Sequence, residues 1–145
     1  MADCKVVMVG WWRFYTDGNP FAIDIKNCGK WMYFFKDDDS LPRAICQKAI
    51  EEGACIECKH TDLKRFPELK TGVVCFYCDK SDKDAMQRIL TFMRDNGLIQ
   101  RKKNGEYFNI PFKLDSQTDD KKYGKDFVAT VRLKDYMNPV TGELL

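Results

Sequence analysis

Four cysteines in this chain stand at the spacing of a four-thiolate zinc site: two residues separate Cys55 from Cys58, sixteen more separate Cys58 from Cys75, and two again separate Cys75 from Cys78. Bound to zinc, they would make the middle of the chain a zinc ribbon. Both pairs, however, lie in apolar runs, Ala54-Cys55-Ile56-Glu57-Cys58 and Val73-Val74-Cys75-Phe76-Tyr77-Cys78, with no Gly or Pro to shape a knuckle. In an extended strand, residues i and i+3 point to opposite faces, so neither pair could close on one ion. The two readings exclude each other. The apolar runs favour strands filled by small buried thiols, and we expect no metal and no other cofactor.

His60 is the only histidine, hence the only side chain whose ordinary titration falls near neutral pH. Lys59 beside it suggests an acid and base pair, but neighbours on a strand face opposite ways. Trp11, Trp12 and Trp31 could stack on a planar ring, and Lys30, Lys59 and Lys113 could neutralise phosphate. The bland alternatives are core packing for the tryptophans and solvated strand edges for the lysines. The basic runs Arg101-Lys102-Lys103 and Lys121-Lys122 fall in a turn and a loop and read as solvated.

Composition narrows the setting. With 145 residues the chain is long enough for one ordinary domain with its own core. A net charge of +2 is too small to argue for a polyanion partner by itself. The aromatic content of 13% suits a β-rich core or a stacking surface. No window approaches the length of a membrane span, and the start has no signal-peptide layout. Seven cysteines, an odd number, then read as reduced thiols in a cytoplasmic protein.

These residues are positioned by elements that the pattern predicts. The central stretch is Gly29-Lys30-Trp31-Met32-Tyr33-Phe34-Phe35, four aromatics in seven residues, a strand with Trp31, Tyr33 and Phe35 on one face. Val6 to Tyr15 predicts one bent strand or two short ones, broken by a bulge at Gly10. Further strands are expected at Phe21 to Ile25, Ala54 to His60, Val73 to Cys78 and Phe127 to Leu133. A hairpin is expected from Leu98 to Lys113 about Asn104-Gly105. Helices are predicted over 41–52, capped by Ser40, and 82–96, with Ser81 and Asp84 as a capping box. The expected fold is α+β: one domain with a curved, mainly antiparallel sheet of six to eight strands, two main helices on one face, and a loosely held tail over 136–145.

The order of the pieces resembles the basophilic-leukaemia-expressed-protein family, also labelled a phosphothreonine lyase domain. The matching residues are Gly-Lys-Trp-Met-x-Phe-Phe at 29–35, Glu52-Gly53 leading to Cys58-Lys59-His60-Thr61, the segment Val73 to Leu98, and Lys113-x-Asp115-x2-Thr118 with Tyr123. The resemblance implies a fold similar to the messenger-RNA cap-binding initiation factors. Taken with the chemistry above, it gives a candidate ligand-binding set of Lys30, Trp31, Lys59, His60, Lys113 and Tyr123. The leading expectation is a module that binds a phosphate-bearing ligand, a nucleotide or single-stranded nucleic acid. The alternatives are a phosphothreonine-lyase-like enzyme, with a lysine as base and His60 as acid, and a protein-interaction module or inhibitor, zinc-ribbon-like if the four cysteines hold a metal.

Overall fold

The structure, a computed structural model, describes residues 3–18, 27–116 and 130–145. Seven strands form one unclosed antiparallel sheet: β1 (Lys5–Val9), β2 (Trp12–Thr16), β3 (Cys28–Lys36), β4 (Glu57–Thr61), β5 (Thr71–Asp79), β6 (Pro111–Leu114) and β7 (Val131–Arg132). Their order across the sheet is β1-β2-β4-β5-β3-β6-β7. Two helices, α1 (Ser40–Glu51) and α2 (Lys83–Asp95), complete an α+β fold. The chain divides into two compact units, Met1–Ala22 with Met32–Tyr77, and Ile23–Trp31 with Cys78–Leu145, so β3 and β5 each run from one unit into the other. Among the described residues no helix is long and apolar enough to cross a membrane.

In the first unit, Gly10 is not a bulge but the first residue of a two-residue hairpin loop, since Val9 pairs with Trp12 and Gly10 alone takes a positive φ of 58°. Helix α1 buries Pro42, Ile45, Cys46, Ala49 and Ile50 along one stripe. It ends in a glycine stop: Gly53, at φ +73°, donates to the Ile50 carbonyl at 3.1 Å, and Ala54 donates to that of Ala49 at 2.8 Å. Ser40 is the first helical residue rather than the cap. Its N–H and hydroxyl both bond Asp38 Oδ1, at 2.9 and 2.7 Å.

The second unit repeats that departure. Ser81 bonds Asp79 Oδ1, and Asp82 caps α2 by accepting from the Ala85 N–H at 3.0 Å. The helix buries Met86, Ile89, Leu90 and Met93 and stops at Gly97. The expected hairpin reduces to one bridge between Arg101 and Tyr107, with strand β6 starting only at Pro111. The tail is tightly held rather than loose. Met137 is fully buried, Gln87 donates to the Tyr136 and Leu145 carbonyls at 3.1 Å each, and Arg94 bonds the Gly142 carbonyl. The strand expected over Phe21 to Ile25 lies outside the described residues, as does Tyr123; the last strand is seen only at Val131–Arg132.

Gly29 shows why the central stretch opens on glycine. A Cβ there would run into the Phe112 ring and come within 2.8 Å of the Lys113 carbonyl oxygen across the β3–β6 ladder. A backbone atom cannot step aside as a flexible side chain can. We therefore expect Gly29→Ala to lower stability by about 1–3 kcal/mol, read as a fall in the urea midpoint at unchanged slope.

Candidate functional site

Register decides which side chains meet. In the first unit Phe14 pairs with Lys59 and Lys59 with Cys75, while Tyr15 pairs with Cys58 and Cys58 with Phe76. Because strand side chains alternate, Trp12, Phe14, Lys59, Cys75 and Tyr77 share one face, and Arg13, Tyr15, Cys58, His60, Val74 and Phe76 share the other. The second face carries α1: the Cys58 thiol lies 3.6 Å from the Cys46 carbonyl of that helix. Lys59 and His60, adjacent in sequence, therefore point to opposite sides of the sheet.

The first face holds a lysine among aromatic rings. Lys59 Nζ stands 3.7 Å from the centre of the Trp12 ring, 5.3 Å from that of Phe14 and 5.7 Å from that of Tyr77. All three distances lie within the range where a cation is drawn to the negative face of a ring. Trp12, Phe14 and Lys59 are each part-exposed, whereas Tyr77 is buried. The result is a charged, ring-lined surface with one indole open enough to be reached.

On the opposite face His60 is fully buried. Its Nδ1 lies 2.8 Å from the Thr61 carbonyl, which can only accept, so that nitrogen carries the proton and Nε2 accepts from the Tyr15 hydroxyl at 3.0 Å. The Tyr15 oxygen in turn accepts from Arg13 Nε at 3.0 Å. Burial holds the imidazole below its ordinary range, against the opposing pull of the Thr61 hydrogen bond. Burial likewise pushes the Tyr15 phenol up to about 12. This chain of groups is a satisfied core network, and it leaves His60 neutral near pH 7.

Asp62 anchors the Trp12 end of that surface. Its carboxylate is fully buried and accepts from Arg43 Nη2 at 2.7 Å and from Arg65 Nε at 2.6 Å. Arg65 continues to the carbonyls of Gly10 and Trp12 at 3.1 and 3.4 Å, and the Asp62 N–H donates to the Trp11 carbonyl at 2.8 Å. The β1–β2 hairpin is thereby fixed to the segment following β4. Burial alone would raise the Asp62 carboxyl. The Arg65 hydrogen bonds and the charges of Arg43 and Arg65 outweigh it and hold the group below its ordinary value. Nothing in the spacing of Arg43, Asp62 and Arg65 announced this arrangement.

In the second unit, Lys30 and Lys113 pair directly across β3 and β6. Both are buried, and Lys30 Nζ makes an ion pair with Asp115 at 2.8 Å. Trp31 takes the other face. It is fully buried, edge-on to Phe112 at 5.2 Å and to Tyr136 at 6.3 Å between ring centres. Its indole Nε1 has no hydrogen-bond partner among the described residues. An enclosed ring cannot stack on a ligand, so the structure places Trp31 in the core. Sequence alone could not separate it from Trp12, because both alternate on apolar strands.

Three of the four spaced cysteines, Cys58, Cys75 and Cys78, lie on strands, whereas the expected strand over Ala54 to His60 begins only at Glu57 and leaves Cys55 outside it. Cys58 stands opposite Phe76 and Cys75 opposite Lys59, which sends their thiols to opposite faces. Among the described residues no group of three or more His, Cys, Asp or Glu side chains is placed to hold a metal ion. Burial, followed by hydrogen bonds with Cys46 and Cys55, pushes the Cys58 thiol well above its ordinary range, so it is protonated at neutral pH. No protein-family model matches the chain, and no curated protein sequence matches it.

Two depressed pKa values fix the sign of the pH response. Above the ordinary histidine value of 6.5 the His60 contribution is complete; below it the unfolded chain takes up a proton that the folded imidazole resists, and stability falls. The Asp62 contribution is complete above the ordinary carboxyl value of 3.8 and is lost as pH falls through the lower folded value. We expect the thermal midpoint to decline in two stages on acidification. In His60→Gln the upper stage, beginning near pH 6.5, should vanish while the lower one remains.

Proposed function

We propose that the protein is a binding module for a nucleotide or single-stranded nucleic acid, received on the sheet face formed by Trp12, Phe14, Lys59 and Tyr77. The observation that carries the reading is the Lys59 ammonium 3.7 Å from the centre of a part-exposed indole. Aromatic faces and a cation together suit a ligand that has a planar base and a phosphate. A reducing, cytoplasmic setting agrees with seven free cysteines. Of the expected ligand set Lys59 stays in this reading and Trp12 takes the stacking role expected of Trp31, while Lys30 and Lys113 are buried in the second unit, Lys30 in an ion pair with Asp115, and take no part in it.

The lyase-like alternative draws no support from Lys59 and His60. It needs both in one cleft, whereas they occupy opposite faces and His60 is enclosed. An interaction-module reading has one observation in its favour: β1 is an edge strand whose Val6, Val7, Met8 and Val9 are all exposed.

Titration calorimetry with the four common nucleoside monophosphates and a short single-stranded RNA tests the nucleotide reading. We expect saturable binding that weakens about tenfold or more in Trp12→Ala, the loss of one stacked base. A Trp31→Ala variant should instead lose about 3–5 kcal/mol of stability. Heats indistinguishable from dilution at millimolar ligand, or binding unchanged in a folded Trp12→Ala protein, would overturn the reading.

A further inference from the structure

Strand β1 forms one edge of the sheet, and every residue of it, Lys5 to Val9, is exposed. We propose that this edge pairs antiparallel with the same edge of a second copy, through a closed two-fold contact centred on Val7. Such self-association gives the interaction reading a partner and stands apart from the nucleotide-binding reading.

The hydrogen bonds of the neighbouring strands determine which groups of β1 face outward. The Asp17 N–H donates to the Ile56 carbonyl at 3.2 Å, and the Asp62 N–H to that of Trp11 at 2.8 Å. The odd-numbered residues of β2 therefore turn their backbone groups towards β4, while Trp12, Phe14 and Thr16 turn theirs towards β1. Their partners are Val9, Val7 and Lys5, which leaves the N–H and C=O of Val6 and Met8 directed at the free edge. Among the described residues no strand lies beyond that edge. A second β1 can bond it only in a register that sets even-numbered residues against even-numbered ones.

Pairing centred on Val7 meets this condition and uses the whole strand. Val6 faces Met8 of the second copy, Met8 faces its Val6, and Val7 meets Val7 as a close, non-hydrogen-bonded pair. Lys5 falls opposite Val9. The two lysines, the only charges of the strand, then stand at opposite ends of the join, about 13 Å apart and beyond the screening length. A parallel pairing would instead set Lys5 against Lys5. Val7, Met8 and Val9 are each more than half exposed, so the join buries apolar side chains on both faces of the sheet. The strand has no proline, no bulge and no charge inside its apolar run, the devices that shield an open edge. Two five-residue strands bury less than the roughly 1,200 Å² of a standard interface, so the dimer is weak and concentration-dependent.

Sedimentation velocity on the full chain in reducing buffer, from about 5 μM to about 1 mM, tests the pairing across the range of weak association. We expect monomer to give way to dimer as concentration rises, with no larger species, because a two-fold contact closes on itself. Val7→Lys sets two like charges against each other at the axis and should weaken dimerisation about tenfold or more. Its thermal midpoint at low concentration should match wild type, since Val7 is exposed. Met8→Pro removes an outward N–H that the monomer does not use and provides the same comparison if Val7→Lys folds poorly. A monomer at every concentration, growth beyond the dimer, or a dimer undiminished in either folded variant would overturn the pairing and leave the nucleotide reading to its own calorimetry.

Discussion

A single buried carboxylate holds the first unit's surface in place. Asp62 has no exposure to water, and an isolated charge there would be strongly unfavourable. Two guanidinium groups make it tenable, and each brings another part of the chain with it. Arg43 comes from α1 and also binds Asp39 at 2.9 Å. Arg65 comes from the loop after β4 and binds the carbonyls of the β1–β2 hairpin. Helix, loop and hairpin thus share one ionic centre. Such centres add little net stability over apolar packing, yet losing one partner exposes the full cost of the other. Their value here is geometric, since they fix where Trp12 stands.

Strand parity then divides the chemistry. Once β2, β4 and β5 are in register, the face that receives α1 takes Tyr15, Cys58 and His60, and the other keeps Trp12, Phe14 and Lys59. On the inward face of these three strands the polar atoms of His60 and Tyr15 find partners. The imidazole of His60 uses both nitrogens, and the Tyr15 hydroxyl serves His60 and Arg13 together. A residue so fully engaged is poorly suited to proton transfer with a ligand. The most chemical-looking residue of the sequence is therefore a core residue, and the less distinctive lysine beside it faces outward.

Much of the architecture was legible because it depends on local pattern. The aromatic stretch at 29–35, the apolar run at 73–78 and the stripe of Met86, Ile89, Leu90 and Met93 predict β3, β5 and α2. The cysteine parity argument applies to Cys75 and Cys78 on β5 but not to Cys55, which precedes β4 and whose thiol meets that of Cys58. What failed depends on distant partners. Trp31 and Trp12 carry the same local signal, and only the packing of Phe112 and Tyr136 makes one of them core. The Asn138-Pro139-Val140-Thr141-Gly142 segment has the composition of a loose tail. Gln87 and Arg94 hold it from α2 through backbone carbonyls, which leave no mark in composition.

Magnitudes bear on whether the Lys59 arrangement is a structural brace. A cation–π contact at a part-exposed site contributes roughly 0.5–1 kcal/mol, and more only when water is excluded. The lysine carries about 2 kcal/mol of side-chain freedom, part of which is surrendered when its head is held over one ring. The two terms are close in size, so the contact with Trp12 adds little to folding. Compare Asp62, where removing a partner would strand a buried charge. A brace is built from interactions of the second kind.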